Sequence, residues 1–546
     1  MAASRSAALV LLWLSLSIGF GASTVSAQPG LEPAEPGPGP GPDRLAEPTG
    51  PAGISPRSEA GAEGGGEAPA APRALDAPRP RYFRAGYEMV SGLALGTLWY
   101  WIDRERNVAD WDYDSWEQRL TWEAFRFDNN SFRINFLWHA LSGSGFYGVS
   151  RANDLSLLAA GGYAIASSFV WEYLLEFREK ISINDLIITP GAGIAIGEFL
   201  HRLSRYLGSS PGGGDALHRA LRWIGWPLAL HRTVDGHPYA EASSEADALG
   251  FGAAIAHRLE LRLGLHALAS SGPEGDGAAR SSGFARIGFE GFFAEIPGYG
   301  RPGELLRFFH DAEISELHLD ADLGAEGTAV RFFAESTLLG VHAQALVEGG
   351  PRAGARGAML TAGLSMAYLY RREDLPAWRE RLGLLGLAGV AMDGCLSSAQ
   401  LRICLAARLH PAFAGVLAPG FAAWQAAHPD LRAKTILVKQ GYYYGWGVWS
   451  RLILRLQLPA MQLQAQLAYL GLSSAEGLDR SQESVTADIG LSARRLEYSL
   501  SLRILPWGGG GFIELRMGSR HRRDRLEGDA LDRRLDSFQI SLGSSR

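Results

Sequence analysis

Cysteine is almost absent from this chain of 546 residues, which contains only Cys395 and Cys404. That excludes a disulfide-rich secreted scaffold and any cysteine-rich metal module. In an exported chain the two can close one bridge across a small hairpin, or remain free thiols. No cysteine lies near the end of the N-terminal apolar stretch, so a lipid-anchored N-terminus is not expected. Basic excess is missing too: 52 Lys and Arg stand against 58 Asp and Glu, for a net charge of -6. No domain-wide positive surface is available to neutralise phosphates, so nucleic acid is not an expected partner. Also lacking is an uncharged apolar run of the ~20 residues a spanning helix needs. The best, Leu155 to Trp171, has 17 residues and is diluted by Ser156, Gly161, Gly162, Ser167 and Ser168. The chain ends Gly543-Ser544-Ser545-Arg546, without the terminal aromatic common in bacterial barrels.

What is plentiful is glycine, 68 residues of it, set among short apolar-polar alternations. This composition suits a β-barrel better than a soluble enzyme. At the N-terminus, Arg5, the apolar run Ala7 to Phe20 and the small residues Val25-Ser26-Ala27 read as a secretory signal, residues 1–27, cleaved before Gln28. Residues 28–80 are dominated by Pro, Gly and Ala and read as a disordered spacer. Residues 81–207 form a helical domain, with helices expected at Tyr87–Ile102, Phe132–Val149, Leu155–Phe177 and Asn184–Tyr206. Ser182 and Asp185 give a capping-box-like start to the last of these, and Pro190 should kink or break it. Residues 208–247 read as a connector with loop histidines at His231 and His237, exposed and uninvolved.

From residue 248 to 546 the period becomes two. Leu259, Leu261, Leu263 and Leu265 alternate with Glu260, Arg262, Gly264 and His266, and Leu496, Tyr498, Leu500 and Leu502 with Glu497, Ser499, Ser501 and Arg503. Segments of this length, with one greasy and one charged face and no interleaved helices, predict about 12 antiparallel strands closed into an outer-membrane-type β-barrel, lipid outside and charge in the lumen. Tyr442, Tyr443, Tyr444, Trp446 and Trp449 would suit an interfacial aromatic girdle. The fold class is therefore α+β, a helical domain followed by a barrel, with the helices plugging the barrel mouth or capping it from the periplasm.

Asn135, His139, Gly143, Phe146-Tyr147 and Arg151 form an ordered series with W-E-Y-x-x-E at Trp171–Glu176, S-I-N-D at Ser182–Asp185, T-P-x-x-G at Thr189–Gly193 and G-E-x-x-x-R at Gly197–Arg202. This series, over roughly residues 82–240, resembles the bacterial family called domain of unknown function 3943. One departure is Ala140, where the family pattern has proline. The resemblance implies an exported, envelope-associated chain with a β-rich C-terminal part, and no activity.

Isolated charges on apolar helices are costly to bury alone, so they must be paired, hydrated or functional. Asn135, Arg151, Glu172, Glu176, Asp185, Glu198 and Arg202 are expected to form a structural polar network. His139, Glu172, Glu176, Asp185 and Glu198 are also the candidates for a catalytic site. Ser142 or Ser144 near His139 could serve an acyl hydrolase, but Ser142 stands where a nucleophile elbow has its first glycine. Glu198 and His201 make a lone E-x-x-H pair, short of the two that a bundle di-metal site uses. No metal and no cofactor are therefore expected. Trp111, Trp116 and Trp122 fit packing at an interface better than sugar stacking. The leading expectation is an outer-membrane barrel with a structural or transport role and membrane lipid as its partner. The alternatives are an envelope-lipid-modifying hydrolase and a polytopic inner-membrane protein with a periplasmic β-domain.

Overall fold

The structure, a computed structural model, describes residues 79–102, 114–210, 216–236, 256–271, 280–325, 327–348, 355–375, 378–475, 489–505 and 510–545. The signal, nearly all of the spacer, Trp111 and His237 lie outside the described residues.

The helical part contains α1 (Tyr82–Ile102), α2 (Trp116–Leu120), α3 (His139–Ala152), α4 (Leu157–Val170), α5 (Ile183–Ser209), α6 (Ala216–Leu221) and α7 (Trp226–Asp235). Two π-helical turns, Ile134–Trp138 before α3 and Trp171–Leu175 after α4, extend their neighbours. Short strands β1 (Phe125–Arg126) and β2 (Ile181–Ser182) pair in parallel. The Ser182 side chain accepts from the Asp185 amide and caps α5. That helix runs unbroken through Pro190, expected to kink or break it, with Gly191 packed close to Leu385 and Gly193 close to Gly143 in the same turn. The expected connector contributes α6 and α7, and α7 joins the helical packing through buried Leu228 and Leu230.

The barrel strands are β3 (Ala256–Ser271), β4 (Arg280–Ala294), β6 (Ile314–Gly324), β7 (Gly327–Val347), β8 (Arg356–Leu375), β9 (Trp378–Ser397), β10 (Arg402–Leu417), β11 (Tyr442–Leu458), β12 (Met461–Ser474), β13 (Leu491–Ile504), β14 (Gly511–Leu526) and β15 (Asp529–Ser545). They pair antiparallel in one ring, closed by β15 on β3 and by β7 on β8. A short β5 (Gly303–Phe309) pairs with the end of β7 beyond the reach of β6, on the edge opposite β8. The longest described connection, between β10 and β11, carries α8 (Phe421–Ala427) and α9 (Thr435–Gln440).

Ion pairs identify the lumen. Arg520 of β14 meets Glu373 of β8 at 2.8 Å, Arg522 of β14 meets Glu380 of β9 at 3.0 Å, and Arg495 of β13 meets the same glutamate at 2.9 Å. These strands are not neighbours in the ring, so the side chains reach across its interior. The opposite parity carries exposed Leu263, Leu467, Leu500, Met517 and Ile540, a greasy outer wall as a lipid-facing barrel requires.

The helices do not plug this barrel. The residues they pack on have the outward parity: Phe293, Leu317, Ala334, Tyr368, Leu385, Phe413, Tyr442 and Tyr444 share one apolar core with Phe136, Ile188, Ala192, Ala195 and Phe199. Five of these wall residues fall on a single register row together with Gly291 and Leu259. Phe413 pairs with Leu385, Leu385 with Tyr368, Tyr368 with Ala334, Ala334 with Leu317, Leu317 with Gly291, and Gly291 with Leu259. The row crosses seven successive strands, from β10 to β3, and α5 is laid across it. Gly191 approaches Leu385, the Ala195 carbonyl accepts from Ser336, and Phe199 covers Gly291. The expected plug or periplasmic cap is therefore a layer on the outer wall. The lumen is occupied by paired charge and by its own apolar side chains, among them Leu382, Leu384, Trp449 and Leu470.

A wall that would otherwise face lipid gains little by trading lipid for helix, so close packing and polar contacts must hold the layer. Glycine supplies the first: a Cβ at Gly383 or Gly415 would lie 2.1 or 2.2 Å from the Phe136 ring. Hydroxyls supply the second. Asn135 donates to Tyr442 at 2.9 Å and Tyr444 at 2.6 Å, Tyr444 donates to the Asp128 carbonyl at 3.0 Å, and Tyr368 donates to the Phe136 carbonyl. Of the residues expected in an aromatic girdle, Tyr442 and Tyr444 are thus anchors under the helices, Tyr443 and Trp449 are buried on the opposite parity, and Trp446 is exposed. The outer surface of the layer is greasy in turn, with Phe83, Val90, Leu98, Leu158 and Phe169 exposed.

Candidate functional site

The polar residues of the helical layer divide into two groups of opposite electrostatics. The first is neutralised. Glu198, fully buried on α5, meets Arg151 of α3 at 2.9 Å and Arg202 one turn on at 2.7 Å, and accepts from the Tyr147 hydroxyl at 2.5 Å. Arg151 also holds Asp311 at 2.9 Å, and Arg202 pairs with Glu295. Both acids belong to the connection between β4 and β6, so this network rivets the helices to the barrel rim. The glutamate of the E-x-x-H pair with His201 is thus held by two arginines.

The second group is not neutralised. His139 opens α3 directly after one π turn, Glu172 lies in the other, and Asp185 sits in the first turn of α5. One ligand atom from each of the three lies within 4.8 Å of the others. His139 Nε2 is 3.6 Å from an Asp185 oxygen, while its Nδ1 is 3.3 Å from the Thr189 hydroxyl. Asn184 donates to the other Asp185 oxygen at 2.8 Å, and the Ser182 amide donates to Glu172 at 3.3 Å. Among the described residues no arginine or lysine forms an ion pair with Glu172, Glu176 or Asp185. The nearby Arg119 instead donates to the main-chain carbonyls of Glu172, Tyr173 and Glu179.

Uncompensated carboxyls in a dry layer resist ionising. Burial, then the charges of Asp185 and Asp128, holds Glu172 well above the usual carboxylate range. Burial, then Glu172 and Glu179, does the same to Glu176. Burial pushes Glu179 up to about 7, and burial with Asp185 pushes Asp128 up to about 6. Burial pushes His139 down to about 4, so at neutral pH its imidazole is uncharged and offers a lone pair instead of a positive charge. Such a set can exchange protons or take up a cation.

The sequence reading named His139, Glu172, Glu176 and Asp185 but missed Asp128. Asp128 is 4% exposed, its main-chain amide binds Asn184, and its Oδ1 accepts from the Asn130 amide. The turn-forming run Asp128-Asn129-Asn130 was the available signal. Ser144 donates to the Leu141 carbonyl, and Ser142 is exposed. Trp116 and Trp122 are exposed and pack on Phe177 and Phe125. His231, expected to be exposed, is buried on α7 at 3.0 Å from Glu88. Cys395 and Cys404 face each other across β9 and β10 and are bonded.

The chain is similar in fold to outer-membrane barrels. The translocator domain of the autotransporter NalP from Neisseria meningitidis is 10% identical over 52% of this chain and 88% of its own, with a TM-score of 0.19. The outer-membrane channel DcaP of Acinetobacter baumannii is 10% identical over 56% of this chain and 100% of its own, TM-score 0.20. A Pseudomonas aeruginosa FadL homologue is 10% identical over 53% and 90%, TM-score 0.20. At such scores the barrel stands on its own strand register. No curated protein sequence matches the chain. Residues 124–227, which contain the helical members of both polar groups and the π turns beside them, match the family model described as Domain of unknown function (DUF3943), the family that the motifs resemble.

Proposed function

We propose that this protein is a non-conducting outer-membrane scaffold: a barrel sealed by its own lumen charges, which carries the helical layer on its flank and has membrane lipid as its partner. The observation that supports this most is the set of ion pairs crossing the lumen. Arg371 with Glu497, Arg520 with Glu373, and Arg495 and Arg522 with Glu380 join opposite walls. The lumen retains a cavity of about 220 Å³. Bacterial barrels keep short turns inside and longer loops outside, which turns the β10–β11 connection outward and the rim bearing the start of β3 and the end of β15 towards the periplasm. The test is conductance in planar bilayers. The purified chain should show no steady channel, and porin-like conductance would end the scaffold reading.

A second reading, an enzyme acting on envelope lipid, is favoured by one observation. The His139, Glu172 and Asp185 group lies in the layer on the lipid-facing wall, not in the lumen. Lipid profiles of a deletion strain complemented with wild type or with Glu172→Gln test it, and identical profiles would remove it.

A further inference from the structure

We propose that His139, Glu172 and Asp185, with Asp128 beside them, bind one divalent transition-metal ion, Zn²⁺ or Mn²⁺, inside the helical layer. The inference does not depend on whether the lumen conducts or whether the layer is an enzyme.

Three donor atoms from three separate elements converge within 4.8 Å of one another. They are one imidazole nitrogen and two carboxylate oxygens, the mixed set that suits a borderline ion better than the all-oxygen cage of Ca²⁺ or Mg²⁺. Each donor has a neighbour that orients it. Thr189 meets His139 Nδ1 and leaves Nε2 turned towards Asp185. Asn184 fixes one oxygen of Asp185, and the Ser182 amide fixes Glu172. These are the supporting contacts that metal sites use to hold ligand geometry.

The independent observation is Asp128. It is 4% exposed, and its Oδ2 has no hydrogen-bond partner although Oδ1 does. Asn184 ties Asp128 to the same group, accepting from the Asp128 amide at 2.8 Å and donating to Asp185 at 2.8 Å. A buried carboxylate oxygen without a donor is costly unless a cation completes it. Both π turns described in the helical layer border the group, and π turns recur where a helix is widened to place a functional side chain.

The experiment uses the full chain, folded in detergent, stripped with chelator and dialysed against Zn²⁺ or Mn²⁺ at micromolar concentration. Bound metal is then measured by elemental analysis. Wild type should retain about one ion per chain and unfold at a higher temperature when loaded, since a ligand that binds only the folded state stabilises it. Glu172→Gln combined with Asp185→Asn should weaken retention by at least about tenfold, while His310→Ala at an exposed histidine should not. No retained metal in wild type, or equal retention in the double variant, overturns the proposal. If the double variant does not fold, as read by loss of heat-modifiable gel mobility, Co²⁺ loading of the wild type decides. An intense visible spectrum of low-coordinate, nitrogen-ligated Co²⁺ supports the site, and the pale spectrum of the hydrated ion refutes it.

Discussion

At the scale of single residues, the same amino acid does opposite things in this layer. A Cβ on Gly143 would stand 1.7 Å from the Thr189 carbonyl oxygen, and one on Gly193 2.5 Å from the Gly143 carbonyl carbon. The backbones of α3 and α5 therefore touch, and Gly143→Ala should cost at least about 2 kcal/mol by forcing them apart. Gly92 and Gly162 meet nothing within 4 Å. Changing either to alanine should be neutral or stabilise its helix by about 0.5–1 kcal/mol. Urea unfolding of the three variants in detergent checks the contrast. Glu88 supplies a pH dependence. Burial alone would raise its pKa, but His231, Arg84 and Asn153 together hold it below the usual range. Its contribution is thus complete above its unfolded value of about 4.3 and is lost as pH falls through the lower folded value. Wild type should lose the packing of α1 against α7 on acidification, whereas Glu88→Gln should be weaker at neutral pH and show a flatter acid profile, measurable by protease sensitivity of the α1 segment.

Between elements, the helices were legible and their placement was not. The apolar periods locate α1, α3, α4 and α5 to within a few residues, and alternation gives the strands and their charged face. Alternation states only which side of a strand is greasy, however, and a greasy side fits lipid and a helix equally well. Nothing in Leu317, Ala334 or Tyr368 tells whether an acyl chain or α5 lies over them. The candidate site was legible in part for a related reason. Glu172 and Glu176 have the i, i+4 spacing of one helical face, but the π turn at Trp171–Leu175 changes that geometry. The partition into arginine-paired Glu198 and arginine-free Glu172 depends on which helix faces which, and no local pattern carries that. The docking itself is testable. Phe136 fills the space over Gly383 and Gly415, so Phe136→Ala should loosen the layer by about 3–5 kcal/mol. Limited proteolysis should then release the helical region while the barrel keeps its heat-modifiable mobility.

For the molecule as a whole, charge inside and grease outside are each used twice. Glu373 is shared by Arg331 and Arg520, and Glu380 by Arg495 and Arg522. Replacing both glutamates by alanine leaves four guanidinium groups short of a counter-charge in a closed space. Breaking buried pairs in this way costs about 3–5 kcal/mol each, and repulsion should part the side chains and admit water. The expected result is a lower unfolding temperature together with anion-selective leakage across planar bilayers, where wild type is silent. A double variant as tight as wild type would mean that backbone or loops, and not these pairs, close the passage.

The way α5 is laid over one register row also constrains the order of assembly. The joint between the first and last barrel strands is on the bare flank, where Leu261, Leu263 and Leu265 of β3 and Ile540 and Leu542 of β15 remain open. The staves under the helices, β3 to β11, are all translated before β12. The N-terminal helices can therefore clasp a half-built sheet like a splint, fixing its curvature while its edges are still apart, and the final strands need only zip shut behind them.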